Sequence, residues 1–453
     1  MILDEMQILA KTLTRFKGRK NAEDLTMDGA QPCDLVIEPA ILSGSISAIP
    51  SKSYAQRAYI AAALADKETK IERGAYLSDD MLVTLSALES MGAQAKLTPH
   101  FDVITPLADT QHIEQFEESC SSSQHSSSKV ATSTVPLVNC GESGTVARLL
   151  LPILTALFEE GILTGEGSLP KRPFETLCKT IEQGGQASFD QYRLPISWRG
   201  RLQSGSYSLP GDESSQYLSG LLFALPLVQG DSTINLSSEL QSAGYVDMTL
   251  DVLRQFGICV EYDGSSTYHI PGGQHYHSPG SITVEGDWSN SAFWLAAGVE
   301  VTGLNPESLQ RDRFFPKVKG QAVIDATDIP DLVPILSICA ALTRGTTGIQ
   351  GIKRLRIKES DRISTTLAML KALGCKAKLC TAGEEKLLIQ GTGTIPGGGV
   401  VDGAHDHRIV MAAAIAASFA QEPLTIRGAQ AVAKTYAHFF EDFRQLGGKV
   451  HVV

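Results

Sequence analysis

The residues best suited to bind a ligand or carry out chemistry lie where polar sequence gives way to runs of small apolar residues. Lys52 and Ser53 open one such run, which carries Arg57, and Gly144 opens another, which carries Arg148. A helix N-terminus presents free N–H groups and a positive dipole, so Lys, Arg and Ser placed there would complete an anion site. An ordinary N-cap with basic side chains reaching water would use the same residue types, and the spacing leaves both interpretations open.

Other segments repeat this arrangement or add charge to it. The triple Ser214-Ser215-Gln216 opens a third apolar run, although a Ser-Ser cap alone is common. The basic pair Lys171-Arg172 is also what a solvated loop would carry. Lys358 and Arg362, at i,i+4, are also compatible with an exposed salt-bridge ladder on a helix.

Arg408 belongs to the most suggestive of these segments, His405-Asp406-His407-Arg408, which immediately precedes an apolar run. Charge at the mouth of a buried helix is costly unless it is used, so we interpret this segment as functional. Two His residues at i,i+2 with no clear third ligand do not indicate a metal, and no metal or cofactor is expected. The chain lacks GxxxxGK[ST], GxSxG and a GxGxxG after a strand, which argues against P-loop, serine-hydrolase and dinucleotide chemistry.

The bulk composition narrows the class of protein. The 453 residues carry a formal net charge of -11, which argues against nucleic-acid or anionic-membrane binding and requires any anion site to be a local basic cluster. The cysteines are scattered without CxxC pairs, no apolar run is long enough to span a membrane, and the first residues lack a signal-peptide pattern. A cytoplasmic protein with reduced thiols is expected.

Two kinds of helix alternate along the chain. The first kind is small, apolar and expected to be buried, and it is predicted at Ser53–Ala65, Thr145–Leu157, Ser215–Val228, Ser289–Gly298, Ile329–Leu342 and His407–Ala417. The second kind is amphipathic, ends at a glycine and precedes an alternating strand, and it is predicted at Leu85–Gly92, Thr176–Gly185, Leu250–Gly257, Thr366–Gly374 and Phe439–Gly447, with a degenerate copy ending at Gly320. The pattern predicts an α/β repeat architecture of six units, three in each of two domains.

The same pattern suggests where the domains divide. An N-terminal extension covers residues 1–34, and a Ser-rich insertion covers 107–134. Residues 51–285 would form one domain, and 35–50 together with 286–453 the other. Two crossings, at Pro50-Ser51 and at Glu285-Gly286-Asp287, would then form a double hinge around a cleft that closes on ligand.

Nine short motifs in sequence over residues 40–450 resemble the 5-enolpyruvylshikimate-3-phosphate synthase family of enolpyruvyl transferases. They are Ser51-Lys52-Ser53 with Arg57, Gly144-Thr145 with Arg148, Arg172-Pro173, Ser214-Ser215-Gln216, Glu285-Gly286-Asp287, Ile329-Pro330-Asp331, Lys358-Glu359-Ser360-Asp361-Arg362, Asp406-His407-Arg408 and Lys434-Thr435. The resemblance implies a two-domain inside-out α/β barrel of six βαβαββ repeats. It also implies a monomer that joins shikimate-3-phosphate to phosphoenolpyruvate without a cofactor.

The resemblance further implies a role for each matching residue. Lys52, Asp331 and Glu359 would carry protons. Shikimate-3-phosphate would bind to Lys52, Ser53, Arg57, Ser214, Ser215, Gln216, Ser242, Tyr245, Asp331 and Lys358. Phosphoenolpyruvate would bind to Lys52, Gly144, Arg172, Gln216, Arg362, Arg408 and Lys434, and glyphosate would compete beside Gly144.

Four positions depart from the family's usual pattern. Glu142, Arg354 and His405 stand where asparagine is common, and Leu149 stands where proline is familiar. These departures bear on affinity, and they leave the class of reaction unchanged.

Two other functions remain to be weighed against this one. A UDP-N-acetylglucosamine enolpyruvyl transferase usually has Lys-Asn where this chain has Lys52-Ser53, and a cysteine-bearing loop that is not evident here. A non-catalytic phosphate-ligand binding protein on the same scaffold would have no need of Lys52, Asp331 and Glu359.

Overall fold

A computed structural model describes residues 32–107 and 135–453. The predicted N-terminal extension (1–34) and Ser-rich insertion (107–134) therefore lie outside the described residues, apart from positions 32–34 and 107.

The alternation of buried and amphipathic helices is present. The helices of the described chain are α1 Lys52–Ala63, α2 Asp79–Ser90, α3 Gly144–Leu157, α4 Glu175–Glu182, α5 Ser215–Ala224, α6 Ala243–Gln255, α7 Trp288–Ala297, α8 Phe315–Val318, α9 Val333–Leu342, α10 Arg362–Ala372, α11 His407–Ser418, α12 Ala433–Tyr436 and α13 Phe439–Gln445. Helices α1, α3, α5, α7, α9 and α11 are the apolar, buried kind. Several amphipathic helices begin earlier than predicted, because their first turns are polar: α2 opens with Asp79-Asp80, which favour the positive end of the helix dipole.

The glycines that were predicted to end the amphipathic helices take up the left-handed conformation. Their φ values are all positive, as a helix C-cap requires and as only glycine adopts without steric cost. They are Gly92, Gly185, Gly257, Gly320, Gly374 and Gly447.

Short strands connect the helices. They are β1 Leu35–Glu38, β2 Ser45–Ser47, β3 Thr69–Glu72, β4 Gln94–Leu97, β5 Phe101–Thr105, β6 Leu137–Asn139, β7 Glu160–Thr164, β8 Ser188–Phe189, β9 Ile196–Arg199, β10 Ser206–Leu209, β11 Ser232–Leu236, β12 Glu261–Tyr262, β13 Thr267–Ile270, β14 Ser281–Thr283, β15 Glu300–Thr302, β16 Val323–Asp325, β17 Gly345–Gln350, β18 Lys376–Cys380, β19 Lys386–Gly391, β20 Ile395–Gly397, β21 Val400–Asp402, β22 Ala420–Glu422, β23 Leu424–Arg427 and β24 Lys449–Val452.

Five four-stranded sheets share one pattern, in which a parallel pair is followed by two antiparallel pairs. Their strand orders are β14-β3-β5-β4, β6-β7-β9-β8, β10-β11-β13-β12, β16-β17-β19-β18 and β21-β23-β1-β24. The other strands form the parallel pairs β15-β2 and β20-β22. The fold is thus mixed α/β with a recurring sheet, while the count of six units stays a prediction.

The buried apolar side chains of residues 32–107 and 135–453 form two separate clusters. One draws on residues 54–284, and the other on 35–49 and 292–450. The chain passes between these regions at two adjacent places, where Pro50 and Gly286 form an antiparallel bridge. The backbone N–H of Ser51 donates to Glu285 O, and that of Asp287 to Ile49 O, both at 2.8 Å. The segment before Pro50 therefore packs with the C-terminal half.

A buried ion pair in the sheet β14-β3-β5-β4 should contribute strongly to stability. Asp102 is fully buried, lies 2.7 Å from Arg73 Nε and accepts the Tyr59 hydroxyl at 2.6 Å. Replacing Asp102 with Ala would leave a buried guanidinium uncompensated, at a cost of about 3–5 kcal/mol. Urea denaturation should reveal this loss, whereas Glu72→Ala, which removes the exposed Lys70–Glu72 pair, should change stability little. Equal effects of the two substitutions would contradict the argument.

Candidate active site

A polar pocket lies between the two apolar clusters, and most of the predicted site residues line it. It contains Lys52, Ser53, Arg57, Arg172, Ser214, Ser215, Gln216, Ser242, Tyr245, Asp331, Lys358, Glu359, Arg362 and Arg408. Gly144 and Lys434 do not line it. Residues that sequence reasoning had not assigned to a ligand also line it, namely Thr145, Arg148, Glu213, Asp287, Ser289, Arg354, Ile357 and His407.

Buried helices deliver these side chains from their N-terminal ends. Ser214 caps α5 by accepting the Gln216 N–H at 3.3 Å, and Asp406 caps α11 by accepting the Arg408 N–H at 3.0 Å. Each cap satisfies a backbone donor that the helix itself leaves free, and the next residues face the pocket. Several helix dipoles therefore add positive potential to the same volume.

One wall of the pocket combines hydroxyl groups with a guanidinium. Arg354 Nη2 donates to Ser242 Oγ at 2.8 Å and to Thr327 O at 2.7 Å. Arg57 is buried and donates to Thr249 Oγ1 at 2.8 Å and Tyr245 O at 3.0 Å. Burial lowers the pKa of Arg57 to about 10, which leaves it protonated at neutral pH.

Gln216 lies at the centre of the N-terminal half of the pocket. Its Oε1 accepts from Arg148 Nη1, and its Nε2 donates to Thr145 Oγ1, both at 2.9 Å. The Arg148 guanidinium lies 5.6 Å from the ring centre of Phe174 and 5.4 Å from that of Tyr217. These contacts fix the orientation of the amide before any ligand arrives.

Arg362 is the centre of the opposite wall. Its Nε lies 2.8 Å from Asp406, its Nη1 lies 2.6 Å from Asp331, and its Nη2 contacts Glu359. Asp331 also accepts the Tyr245 hydroxyl at 3.0 Å and lies 3.4 Å from Lys358 Nζ. The wall is therefore a lattice of alternating charges, in which Arg362 and Asp406 are buried and the other groups are half-buried.

This lattice keeps two carboxyl groups ionised. Burial alone would raise the pKa of Asp331, but Lys358, Arg362 and Arg408 outweigh it and hold the pKa well below its usual range. Burial likewise opposes ionisation of Glu359, and Arg362 and Arg172 overcome it, so the pKa of Glu359 is also well below its usual range. Both groups are proton acceptors at neutral pH.

The pocket nevertheless has a large positive excess, since eight cationic and four carboxylate side chains line it. In the described part of the chain, buried guanidinium N–H groups of Arg148 (Nε), Arg172 (Nε, Nη2), Arg354 (Nε) and Arg408 (Nε, Nη1) have no hydrogen-bond partner. A buried donor left unsatisfied costs about 1–3 kcal/mol, and more for a charged group. The arrangement therefore fits an anionic ligand that accepts several hydrogen bonds.

The two predicted ligands outside the pocket lie at its edge. Lys434 Nζ is held by Glu142 Oε2 at 2.5 Å and His405 O at 2.9 Å. Gly144 lies directly against Arg172, which lines the pocket: a Cβ added at Gly144 would lie 2.5 Å from Arg172 Nη1. Gly144 thus leaves room for the guanidinium to occupy its position.

Several cations at or beside the pocket are paired with carboxylates. Carboxylates alternate with the cations: Glu359 lies 3.5 Å from Arg172, and Glu142 pairs with Lys434. Lys52 Nζ likewise lies 2.8 Å from Asp80. Sequence reasoning missed Asp80 and Asp406 as partners because each is paired with a residue far away along the chain.

Backbone strain is concentrated around the pocket. The non-glycine residues with positive φ among the described residues are Ser242 (56°), Ala404 (49°) and His405 (54°). Ser242 lies at the start of α6 and accepts from Arg354, while Ala404 and His405 lead into α11 and orient the carbonyl that holds Lys434. Such conformations cost about 1–3 kcal/mol each and cluster at functional sites.

Asp312 is a buried carboxyl beside the pocket that the sequence did not single out. It accepts the hydroxyl of Ser289, which lines the pocket. Burial and nearby Asp331 raise the pKa of Asp312 to about 7, against the hydrogen bond from Ser289 and the charge of Arg408, while Asp287 adds to the rise.

Asp312 should make stability depend on pH. Between pH ~4 and 7 the folded protein holds a proton on Asp312 that the unfolded chain has lost, so stability falls as pH rises through this range. Asp312→Asn removes this pH dependence. The free energy of unfolding of the variant minus that of the parent should therefore be up to ~4 kcal/mol larger at pH 8 than at pH 4. Burial lowers the pKa of His407, which makes stability rise with pH and so opposes the effect of Asp312. The variant is therefore compared with the parent by denaturation at each pH, because His407 contributes equally to both. A difference that does not change with pH would refute the assignment.

The chain is similar to known proteins over most of its length. The family profile described as EPSP synthase (3-phosphoshikimate 1-carboxyvinyltransferase) matches residues 36–315 and 297–443. A 3-phosphoshikimate 1-carboxyvinyltransferase from Clostridium acetobutylicum is 38% identical over 92% of this chain and 97% of the relative, and one from Clostridium kluyveri is 37% identical over 91% and 97%. A solved EPSP synthase from Acinetobacter baumannii superimposes with a TM-score of 0.73 at 25% identity, covering 93% of this chain and 100% of that one. An enolpyruvyl transferase from Streptomyces tendae, at 17% identity, shares the fold with a TM-score of 0.69, covering 93% and 99%. The chain belongs to the EPSP synthase family.

Proposed function

We propose that the protein transfers the enolpyruvyl group of phosphoenolpyruvate to the 5-hydroxyl of shikimate-3-phosphate and releases phosphate. The observation that carries this proposal is the set of buried, unpartnered guanidinium N–H groups in a pocket that also holds two ionised carboxylates. The cations suit substrates that bring phosphate and carboxylate groups, and the carboxylates suit a reaction that moves protons.

Each substrate is assigned to one part of the pocket. The hydroxyls of Ser214, Ser215 and Ser242 would bind the acceptor, together with Ser53, Arg57, Tyr245, Asp331 and Lys358. The donor would lie against Arg172, Arg362, Arg408, Lys434 and the backbone at Gly144. Gln216 and Lys52 would lie between the substrates, which agrees with the amide's fixed contacts to Arg148 and Thr145.

The chemistry requires proton transfer in both directions. The 5-hydroxyl loses a proton as its oxygen attacks C2 of phosphoenolpyruvate, and C3 gains one to give a tetrahedral intermediate. When the C–O bond to phosphate breaks, C3 loses a proton and the double bond returns. Asp331 and Glu359 would accept and return these protons, with Lys52 as a third candidate, each worth about 10²–10⁴-fold.

The finer architecture is part of the same proposal. Residues 51–285 would form one domain and 35–50 with 286–453 the other, as an inside-out α/β barrel of six βαβαββ repeats, three per domain. Two apolar clusters and adjacent chain crossings support this division. We further propose a monomer that closes around its substrates in the cytoplasm. Among the described residues, no helix is both long and apolar enough to cross a bilayer.

The decisive experiment measures phosphate release from phosphoenolpyruvate. We expect release with shikimate-3-phosphate as the acceptor and none with UDP-N-acetylglucosamine. Release with the sugar nucleotide alone would favour the sister enolpyruvyl transferase. Binding of both shikimate-pathway substrates with no release would indicate a non-catalytic binding protein.

Glu359→Gln tests the proton-transfer assignment. Glutamine keeps the shape of the side chain and still accepts a hydrogen bond from Arg362, but it cannot take a proton at neutral pH. Turnover should fall by about 10²–10⁴-fold while calorimetric binding of shikimate-3-phosphate stays close to that of the parent. Near-normal turnover would remove Glu359 from the mechanism.

Gly144→Ala tests the donor subsite. The new methyl group would displace the Arg172 guanidinium, so the KM for phosphoenolpyruvate should rise about tenfold or more. Glyphosate should inhibit the parent in competition with phosphoenolpyruvate, and the variant more weakly. Gly348→Ala is a matched control, because its methyl group would lie 3.6 Å from Leu388 in an ordinary contact. Full parent activity at high glyphosate and low phosphoenolpyruvate would refute the assignment.

A further inference from the structure

The ion pair between Glu142 and Lys434 joins the two halves of the chain at the edge of the pocket. Glu142 lies in the turn between β6 and α3, and Lys434 lies on the short helix α12. Their Oε2 and Nζ atoms are 2.5 Å apart, with side-chain exposures of 35% and 14%. The pair is thus partly shielded from water, and its charges interact more strongly than at an open surface.

Both partners are held where they are. A Cβ at Gly167 would lie 2.2 Å from Glu142 Oε1, so the carboxylate packs directly against that glycine. On the other side, the left-handed backbone at Ala404 and His405 presents the His405 carbonyl to Lys434 Nζ at 2.9 Å. A carboxylate and a carbonyl therefore take up two of the three N–H donors of the ammonium group.

The residues that form and hold this pair are close, in sequence or in space, to two pocket arginines that keep free N–H groups. Glu142 is two residues from Gly144, whose missing side chain admits the Arg172 guanidinium. His405 is three residues before Arg408. Arg172 and Arg408 lie 3.5 and 3.7 Å from carboxylates, yet each keeps buried N–H groups without a hydrogen-bond partner in the described residues, whereas Lys434 lies 2.5 Å from Glu142. An anion held by those two arginines could bind Lys434 only if it shared the ammonium group with Glu142 or displaced Glu142 from it.

We propose that Glu142 sets the affinity of the site for its anionic donor by competing with that donor for Lys434. The inference rests on the proposed function, in which phosphoenolpyruvate is the donor. If Lys434 stays on Glu142, a cation is lost from the donor site. If the donor takes Lys434, an unpaired carboxylate is left beside a bound anion of the same sign. Both outcomes weaken donor binding, and neither involves the hydroxyl-lined wall around Ser242.

Glu142→Gln tests this competition, because it removes the charge and keeps the size of the side chain. The KM for phosphoenolpyruvate should fall about five- to tenfold, the larger value corresponding to about 1.4 kcal/mol. The KM for shikimate-3-phosphate should change by less than about twofold. Glu142→Asp, which keeps the charge but shortens the reach, should give a smaller decrease and serves if the glutamine variant folds poorly.

Glu159→Gln is the matched control. It makes the same change in net charge at an exposed position beyond the opposite end of α3, ~20 Å away at 1.5 Å per residue, and should leave both KM values unchanged. A KM for phosphoenolpyruvate that is unchanged or higher in Glu142→Gln would overturn the proposal. An equal change in both KM values would also overturn it. That result is expected if the ion pair only holds the two halves of the chain together, since both substrates would then be affected.

A binding measurement separates this inference from the proposed reaction. Inorganic phosphate should raise the thermal unfolding temperature of Glu142→Gln more than that of the parent, since a ligand that binds only the folded state stabilises it. If the parent releases no phosphate from phosphoenolpyruvate, the proposed reaction fails while this comparison still tests the competition. An equal phosphate-induced shift in the two proteins would contradict the role of Glu142.

Discussion

The arrangement of the pocket depends on the buried guanidinium of Arg362. An unpaired cation in the interior carries a desolvation penalty of several kcal/mol, which only close carboxylates with good geometry can offset. Asp331, Glu359 and Asp406 supply that compensation from three separate segments. Because Asp406 also caps α11, one residue fixes both the start of the helix and the position of the guanidinium.

The same interaction explains the electrostatic state of the proposed catalytic groups. Asp331 and Glu359 are half-buried, which by itself would raise their pKa values, yet neighbouring cations keep those values low. Anionic substrates would share those cations and weaken that effect, which raises the proton affinity of both carboxylates as the substrates bind. Two carboxylates that are weak bases in the absence of substrate would thus become better able to hold a proton when one must be transferred.

Local patterns in the sequence predicted the elements and most of the pocket. Apolar runs with polar starts located the buried helices, glycines located the ends of the amphipathic ones, and family motifs located Arg57, Gln216 and Glu359. The long-range partners were not predictable: Asp80 for Lys52, Asp406 for Arg362 and Glu142 for Lys434 are each far apart in sequence. Net charge required a local cationic site, but it could not show that carboxylates would alternate within it. Asp312 carries no motif, and its raised pKa arises only from burial in the folded chain.

The pocket is costly to maintain without its ligand. Strained backbone at Ser242, Ala404 and His405 and unsatisfied guanidinium groups both reduce the free energy of unfolding. Two large apolar clusters, one on each side, provide the stability that tolerates this loss. An anion that satisfies the free N–H groups recovers part of it, since ligand at 100 times its Kd adds about 2.7 kcal/mol to the folded state. Substrate binding and folding are therefore linked through the same arginines.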